Sequence, residues 1–159
     1  MNRDRLQKTE EFVKDRLSLD SSGHDWWHIS RVRKLAQVIA KTEKVDSFIV
    51  EMSALLHDIC DWKFNQGNEK AGLEIVRQFL NEIKIPENEQ KAILEIIGAV
   101  SYKGAGIKDN MQSLEGKIVQ DADRLDALGA IGVARTFAYG GSKNQSMHEP
   151  ELKPTMHQS

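Results

Sequence analysis

The residues best suited to chemistry stand at the end of the apolar run ALLHDICD, which occupies positions 54–61. His57 and Asp58 follow three apolar residues, and burying a charged group there is costly unless it is paired or bound to a metal. Imidazole and carboxylate ligands suit Mn, Fe, Co, Ni or Zn, and helix neighbours lie about 100° apart, so both can reach one cation. Because two ligands do not hold an ion, we expect His28 and Asp123 to supply the others.

The length and charge of the chain limit the roles that such a metal, and the protein as a whole, could have. A chain of 159 residues can form one domain whose core needs neither disulfides nor a structural metal, so a metal here would serve chemistry. The formal net charge of −2, with acids and bases mixed along the chain, argues against the broad basic surface of a protein that binds nucleic acid duplexes.

Cysteine content and apolar segments bear on the compartment. Cys60 is the single cysteine, which excludes an intrachain disulfide, and we interpret it as a small buried residue. The first residues contain no apolar signal region, and no apolar segment reaches the roughly 20 residues that span a bilayer. We therefore expect a soluble cytoplasmic protein with no membrane association.

Apolar residues recur at helical spacing and predict an all-α bundle of about six helices. The first helix ends near Ser18, before a turn-forming cluster at 20–23. The second carries His28 near its first turn. Asp46 can cap a third helix, which ends in His57 and Asp58. The candidate ligands thus lie near helix ends.

The second half of the chain continues the helical pattern. A fourth helix follows the polar segment 61–68, and Pro86 stands where the first turn of a fifth begins. The segment 114–138 predicts a sixth helix. We expect one domain over residues 1–141 and a polar, partly ordered tail over 142–159. The apolar face of the sixth helix is predicted to comprise Ile118, Ala122, Leu125, Leu128 and Ile131.

The order of the candidate ligands resembles that of the HD-domain metal-dependent phosphohydrolases, whose ligands follow the pattern H…HD…D across a helical bundle. Four motifs look like the small bacterial branch that hydrolyses nucleotides: HDWWH at 24–28, LHDI at 56–59, SYKG at 101–104 and VQDADRLD at 119–126. The resemblance covers about residues 23–141. Members of that branch continue after this region into further helices that help to close the pocket, whereas residues 142–159 here are few and polar. The resemblance implies the metal ligands His28, His57, Asp58 and Asp123.

Two of these ligands have competitors nearby. His24 stands four residues before His28 and can lie on the same helical face, although the family pattern favours His28. Asp121 and Asp126 compete with Asp123, which matches the position of the motif. Asp126 can instead orient a ligand from behind.

Other residues are candidates for contact with the substrate. Asp61 matches a position at which nucleotidases of the superfamily place a carboxylic acid, which implies a general acid or base; the alternative is a solvated loop carboxylate. Arg31 and Lys103 are candidate phosphate contacts. Weaker candidates, each with an alternative role at the surface or in the core, are Arg124, Trp26 and Trp27.

The resemblance implies hydrolysis of nucleoside triphosphates to monophosphate and pyrophosphate with a divalent ion, which could be Mn, Co, Ni, Mg, Fe or Zn. A 5′-nucleotidase, or a phosphodiesterase acting on another small nucleotide, is the second enzyme hypothesis. A sensor that binds a nucleotide or a metal without turnover is an alternative of another class. Apolar residues left uncovered would favour a homodimer.

Overall fold

The computed structural model describes residues 1–18, 20, 22–60, 69–100 and 110–153. Within these residues it contains seven α-helices, one 3-10 helix and no strand, which confirms the predicted all-α class. No helix in these ranges combines the length and the apolar composition that crossing a bilayer requires. The helices are α1 Asn2–Leu17, α2 Trp26–Ala40, α3 Ser47–Leu56, α4 Glu69–Glu82, α5 Glu87–Ala99, α6 Leu114–Asp126 and α7 Gly129–Ser142, and the 3-10 helix is His57–Cys60.

Short polar side chains cap the N-termini of three of these helices. Asp25 accepts a hydrogen bond from the backbone N–H of His28 at 2.9 Å and begins α2. Asp46 begins α3, as predicted, by accepting from the backbone N–H groups of residues 48 and 49. Ser113 caps α6 in the same way. Because the first N–H groups of a helix have no partner within it, these caps define where the helices that carry His28 and Asp123 begin.

Helix α3 lies at the centre of the bundle and packs against α1, α2, α5 and α6. All of its residues are buried except Ser47 and Glu51. A helix that is apolar on every side is expected to be enclosed by others, and the run around Leu55 meets that condition. Helix α3 ends at Leu56. The next residues, His57 and Asp58, therefore lie buried inside the bundle rather than at its surface.

The single sixth helix predicted over 114–138 is wrong in one respect, because the chain breaks there into α6 and α7. Leu128 is extended, with φ −102° and ψ 164°. Gly129 has φ +63°, a conformation that residues with side chains rarely adopt, so the glycine permits the turn. Three residues of the predicted apolar face are exposed rather than buried, namely Leu125, Leu128 and Ile131.

The chain after α7 has little regular structure. Residues 143–153 form turns and bends, contain no helix or strand, and have exposed side chains. The last part of the predicted tail, 154–159, lies outside the described residues.

Leu55→Ala is expected to lower the free energy of unfolding by about 2–5 kcal/mol, because Leu55 is fully buried and its neighbours cannot refill the space completely. Urea denaturation followed by circular dichroism measures the change. Val38→Ala on α2 is the control, since Val38 is 60% exposed and its truncation should change the value by no more than about 0.5 kcal/mol. Equal losses in the two variants would contradict the central position of α3.

Candidate metal centre

His28 is fully buried in the first turn of α2, where this helix packs against α3 and α6. Its Nδ1 lies 2.8 Å from Oδ2 of Asp126. Its Nε2 lies 3.3 Å from Nε2 of His57, 3.3 Å from Oδ2 of Asp58 and 3.4 Å from Oδ1 of Asp123. One nitrogen of the ring therefore has a hydrogen-bond partner, and the other faces three groups able to bind a metal.

His57 and Asp58 reach the same point from the end of α3, in the 3-10 helix. Nδ1 of His57 lies 2.8 Å from the backbone carbonyl oxygen of Ala54. Because a carbonyl only accepts, Nδ1 donates, and Nε2 of the neutral ring carries the lone pair. This Nε2 lies 3.4 Å from Oδ1 of Asp58 and 3.7 Å from Oδ1 of Asp123. His57 thus directs its lone pair into the group around His28.

Asp123 completes this group from α6. Its side chain is 25% exposed, while those of His28 and Asp58 are 0% and 8% exposed, so the group is open to solvent on the side of Asp123. Asp121, its competitor in the sequence, is exposed and is not one of the residues that converge here. The structure therefore brings together all four predicted ligands.

The donor set fits a cation. His28, His57 and Asp123 each offer a ligand atom within 4.8 Å of the others, and so do His24, His28 and Asp58. Both Nδ1 atoms of His28 and His57 point at acceptors, so their Nε2 lone pairs face each other and the carboxylate oxygens. Such groups repel one another unless a positive charge lies between them. The arrangement is one that could hold a metal ion.

The pKa values of the cluster show the same preference for positive charge. Burial lowers the pKa of His28, but hydrogen bonds to three carboxylates outweigh burial and raise it to about 10. Burial raises the pKa of Asp58, but three neighbouring histidines outweigh it and hold that pKa well below its usual value. The pKa of Asp123 is also lowered, by His28 and His57 against the effect of burial. A proton on His28 or a divalent cation would each meet this demand for positive charge.

His24 lies beside the cluster. Its Nδ1 is 2.9 Å from Oδ2 of Asp58, and its ring meets that of His28 edge-on, with 5.6 Å between the centroids. Its backbone N–H donates to Oδ2 of Asp20 at 2.9 Å, which holds the preceding turn. His24 is therefore close enough to serve as the alternative ligand that the sequence suggested.

Asp126 lies behind His28 and binds two arginines. Arg31 donates from Nε to Oδ1 at 2.7 Å and from Nη2 to Oδ2 at 3.0 Å. Arg135 of α7 donates from Nη1 to Oδ2 at 3.2 Å. Arg135 was not among the site residues predicted from the sequence. The signal that could have identified it is that it is the only charged residue in α7.

The other residues named from the sequence are not among the described residues that converge on the candidate metal centre. Asp61 and Lys103 lie outside the described residues, as does the side chain of Cys60. Trp27 is 67% exposed next to His28, and Trp26 packs at the edge of the core with the Lys14 ammonium 4.5 Å from its ring centre. Arg124 is exposed on α6.

Several known proteins are similar to this chain in both sequence and fold. The YpgQ protein of Bacillus subtilis is 39% identical over 152 residues, which are 95% of this chain and 74% of YpgQ. An HD-superfamily hydrolase from Bacillus thuringiensis has a crystal structure that superposes on this chain with a TM-score of 0.73. The two sequences are 47% identical, and the match covers 97% of this chain and 74% of the hydrolase. A crystal structure of YpgQ in complex with ADP is 36% identical, with a TM-score of 0.72 over 92% of this chain and 73% of that one.

The sequence pattern of the HD domain matches residues 26–128. This segment contains His28, His57, Asp58 and Asp123, and it ends where α6 gives way to α7. On the sequence pattern, the close relatives and the shared helical fold, this chain belongs to the HD domain family.

Proposed function

We propose that this protein is a divalent-metal-dependent phosphohydrolase that acts on nucleotides. The observation that carries the proposal is the convergence of His28, His57 and Asp123 with Asp58 in a buried group of lone pairs and carboxylates. Similarity to HD-superfamily hydrolases supports hydrolysis as the reaction. These four residues would hold the ion.

The donor set narrows the choice of metal. Two imidazoles and two carboxylates suit Mn, Fe, Co, Ni or Zn, and the carboxylates also admit Mg. A divalent ion bound there would polarise a phosphoryl oxygen and lower the pKa of a water ligand. The protein's part is to hold both rings with Nε2 facing inward, which the acceptors at Asp126 and Ala54 do by engaging the Nδ1 atoms.

A nucleotide is the substrate class that we propose. The YpgQ structure, which is a complex with ADP, supports this choice. Within this class we favour a nucleoside triphosphate. Water would attack the α-phosphorus, the bond from this phosphorus to the oxygen bridging it to the β-phosphorus would break, and monophosphate and pyrophosphate would leave.

Three side chains are proposed to act on the substrate. Asp61 would accept the proton of the attacking water and return a proton to the leaving group. Arg31 and Lys103 would offset the negative charge that develops on the phosphoryl oxygens. Arg31 binds Asp126 through Nε and Nη2, and its side chain is 35% exposed, so part of it is accessible from solvent.

The proposal is tested by incubating protein loaded with Mn²⁺, Co²⁺ or Mg²⁺ with ribo- and deoxynucleoside mono-, di- and triphosphates and with a dinucleotide as the phosphodiester. Anion-exchange chromatography separates phosphate from pyrophosphate. Pyrophosphate released from a triphosphate would support the proposal. Phosphate released from monophosphates would identify a 5′-nucleotidase. Cleavage of a diester would identify a phosphodiesterase, and nucleotide binding without any product would identify a sensor.

His57→Ala and Asp123→Ala are each expected to abolish metal retention and hydrolysis while the far-UV circular dichroism stays helical, because both side chains are proposed ligands. Elemental analysis of the purified variants measures the metal. His148→Ala and Asp121→Ala are matched controls, since both residues are exposed and should keep the full metal content. A variant at 57 or 123 that retains all of its metal would show that the residue is not a ligand.

Asp61→Asn is expected to retain metal but to lose about 10²–10⁴ in turnover rate, because the amide keeps the shape of the side chain without its proton chemistry. Metal content and initial rates on the best nucleotide measure the two effects separately. Asp121→Asn is the control and should keep the parent rate. A rate within a fewfold of the parent for Asp61→Asn would identify Asp61 as an ordinary loop carboxylate, with His24 as the next candidate base.

A further inference from the structure

Asp126 is a buried carboxylate with three donors around it. Its side chain is 4% exposed, and its Oδ2 faces Nδ1 of His28, Nη2 of Arg31 and Nη1 of Arg135. Each of its partners comes from outside α6, the helix that carries it. Asp126 therefore joins α2 and α7 to α6 at a point directly behind the candidate metal centre.

The charge on Asp126 determines which nitrogen of His28 faces the cluster. Asp126 accepts hydrogen bonds from the guanidinium groups of Arg31 and Arg135, which can only donate, so its carboxylate acts as an acceptor. Nδ1 of His28 therefore donates to it. Nε2 is then the nitrogen that faces His57, Asp58 and Asp123.

Arg135 is held by a second contact at the turn before α2. Its Nε donates to the carbonyl oxygen of Gly23 at 2.9 Å while its Nη1 reaches Asp126. Gly23 has φ +93°, and a Cβ added there would lie 3.2 Å from Cγ of Arg135. The geometry of the turn thus leaves room for the arginine. One guanidinium spans both acceptors, which a single ammonium does less well.

We propose that Arg135 is a positioning residue for the metal centre, which acts through Asp126 to hold His28 with Nε2 facing the other ligands. The inference rests on the proposed function, because it assumes that the cluster binds a metal. Both Arg135 and its anchor Gly23 lie outside the segment 26–128 that matches the HD domain pattern. Helix α7 would therefore be part of the machinery that prepares the metal site.

The test measures metal affinity rather than hydrolysis. Co²⁺ is titrated into the metal-free protein by calorimetry, and the visible spectrum of the bound ion reports its ligands. Asp126→Asn should weaken Co²⁺ binding about 10- to 100-fold and alter the spectrum, because the partner that holds His28 loses its charge. Arg135→Gln should weaken binding by about tenfold, since Arg31 still holds Asp126.

Matched controls separate this effect from a general change in charge. Asp121→Asn makes the same change at an exposed position of α6, and Arg3→Gln does so on α1. Both should bind Co²⁺ as the parent does. Far-UV circular dichroism and thermal melting of the metal-free variants measure folding independently.

A double variant distinguishes positioning from mere support of the fold. If Arg135 acts through Asp126, the variant with both changes should bind Co²⁺ no more weakly than Asp126→Asn alone. The proposal would be overturned if the loss of Co²⁺ affinity in the double variant equalled the product of the losses in the two single variants. A lowered melting temperature of Arg135→Gln with unchanged Co²⁺ affinity and spectrum would overturn it as well. Parent-like affinity in Arg135→Gln would overturn the inference alone, whereas absence of Co²⁺ binding by the parent would overturn it together with the metal centre.

Discussion

The ring of His28 lies where α2, α3 and α6 meet, and both of its nitrogens are engaged by groups from other helices. One edge contacts the carboxylate of Asp126, and the other faces the candidate ligands. A fully buried imidazole between carboxylates is tolerated only where its hydrogen bonds are satisfied and its charge is balanced. The packing of α2 against α6 is therefore tied to the electrostatics of this ring. Asp25 and Ser113, which begin these two helices, contribute by holding their first turns.

The cluster is poorly suited to the interior of a domain without a cation. Asp58 and Asp123 both approach His28 closely, and two like charges at such separations repel. Hydrogen bonds to the surrounding carboxylates raise the pKa of His28 despite its burial, which reflects the same demand for positive charge. Helix α3, which leads into His57 and Asp58, is almost wholly buried. A site that is costly in this way is more readily explained by chemistry than by stability.

Helix α7 differs from the other helices. Of its residues only Gly132 is buried, and several large apolar side chains on it are exposed, including Val133 and Phe137. Its one charged residue, Arg135, is directed inward to Asp126 and to the turn before α2. The contacts that define its relation to the site are thus polar and directional, whereas α3 is held by apolar burial.

Local features of the sequence determined the all-α class, the cap at Asp46, the start of α5 beside Pro86, and the candidate ligands in their order along the chain. Helical periodicity and capping depend on neighbouring residues, so they can be recognised without the fold. Periodicity alone could not reveal the break between α6 and α7, because the apolar spacing continues through Gly129. Only the tertiary structure showed that Arg135 reaches Gly23 and Asp126, and that His24 reaches Asp58. These contacts join residues on different elements, and their geometry depends on how the helices pack, which no local pattern in the chain encodes.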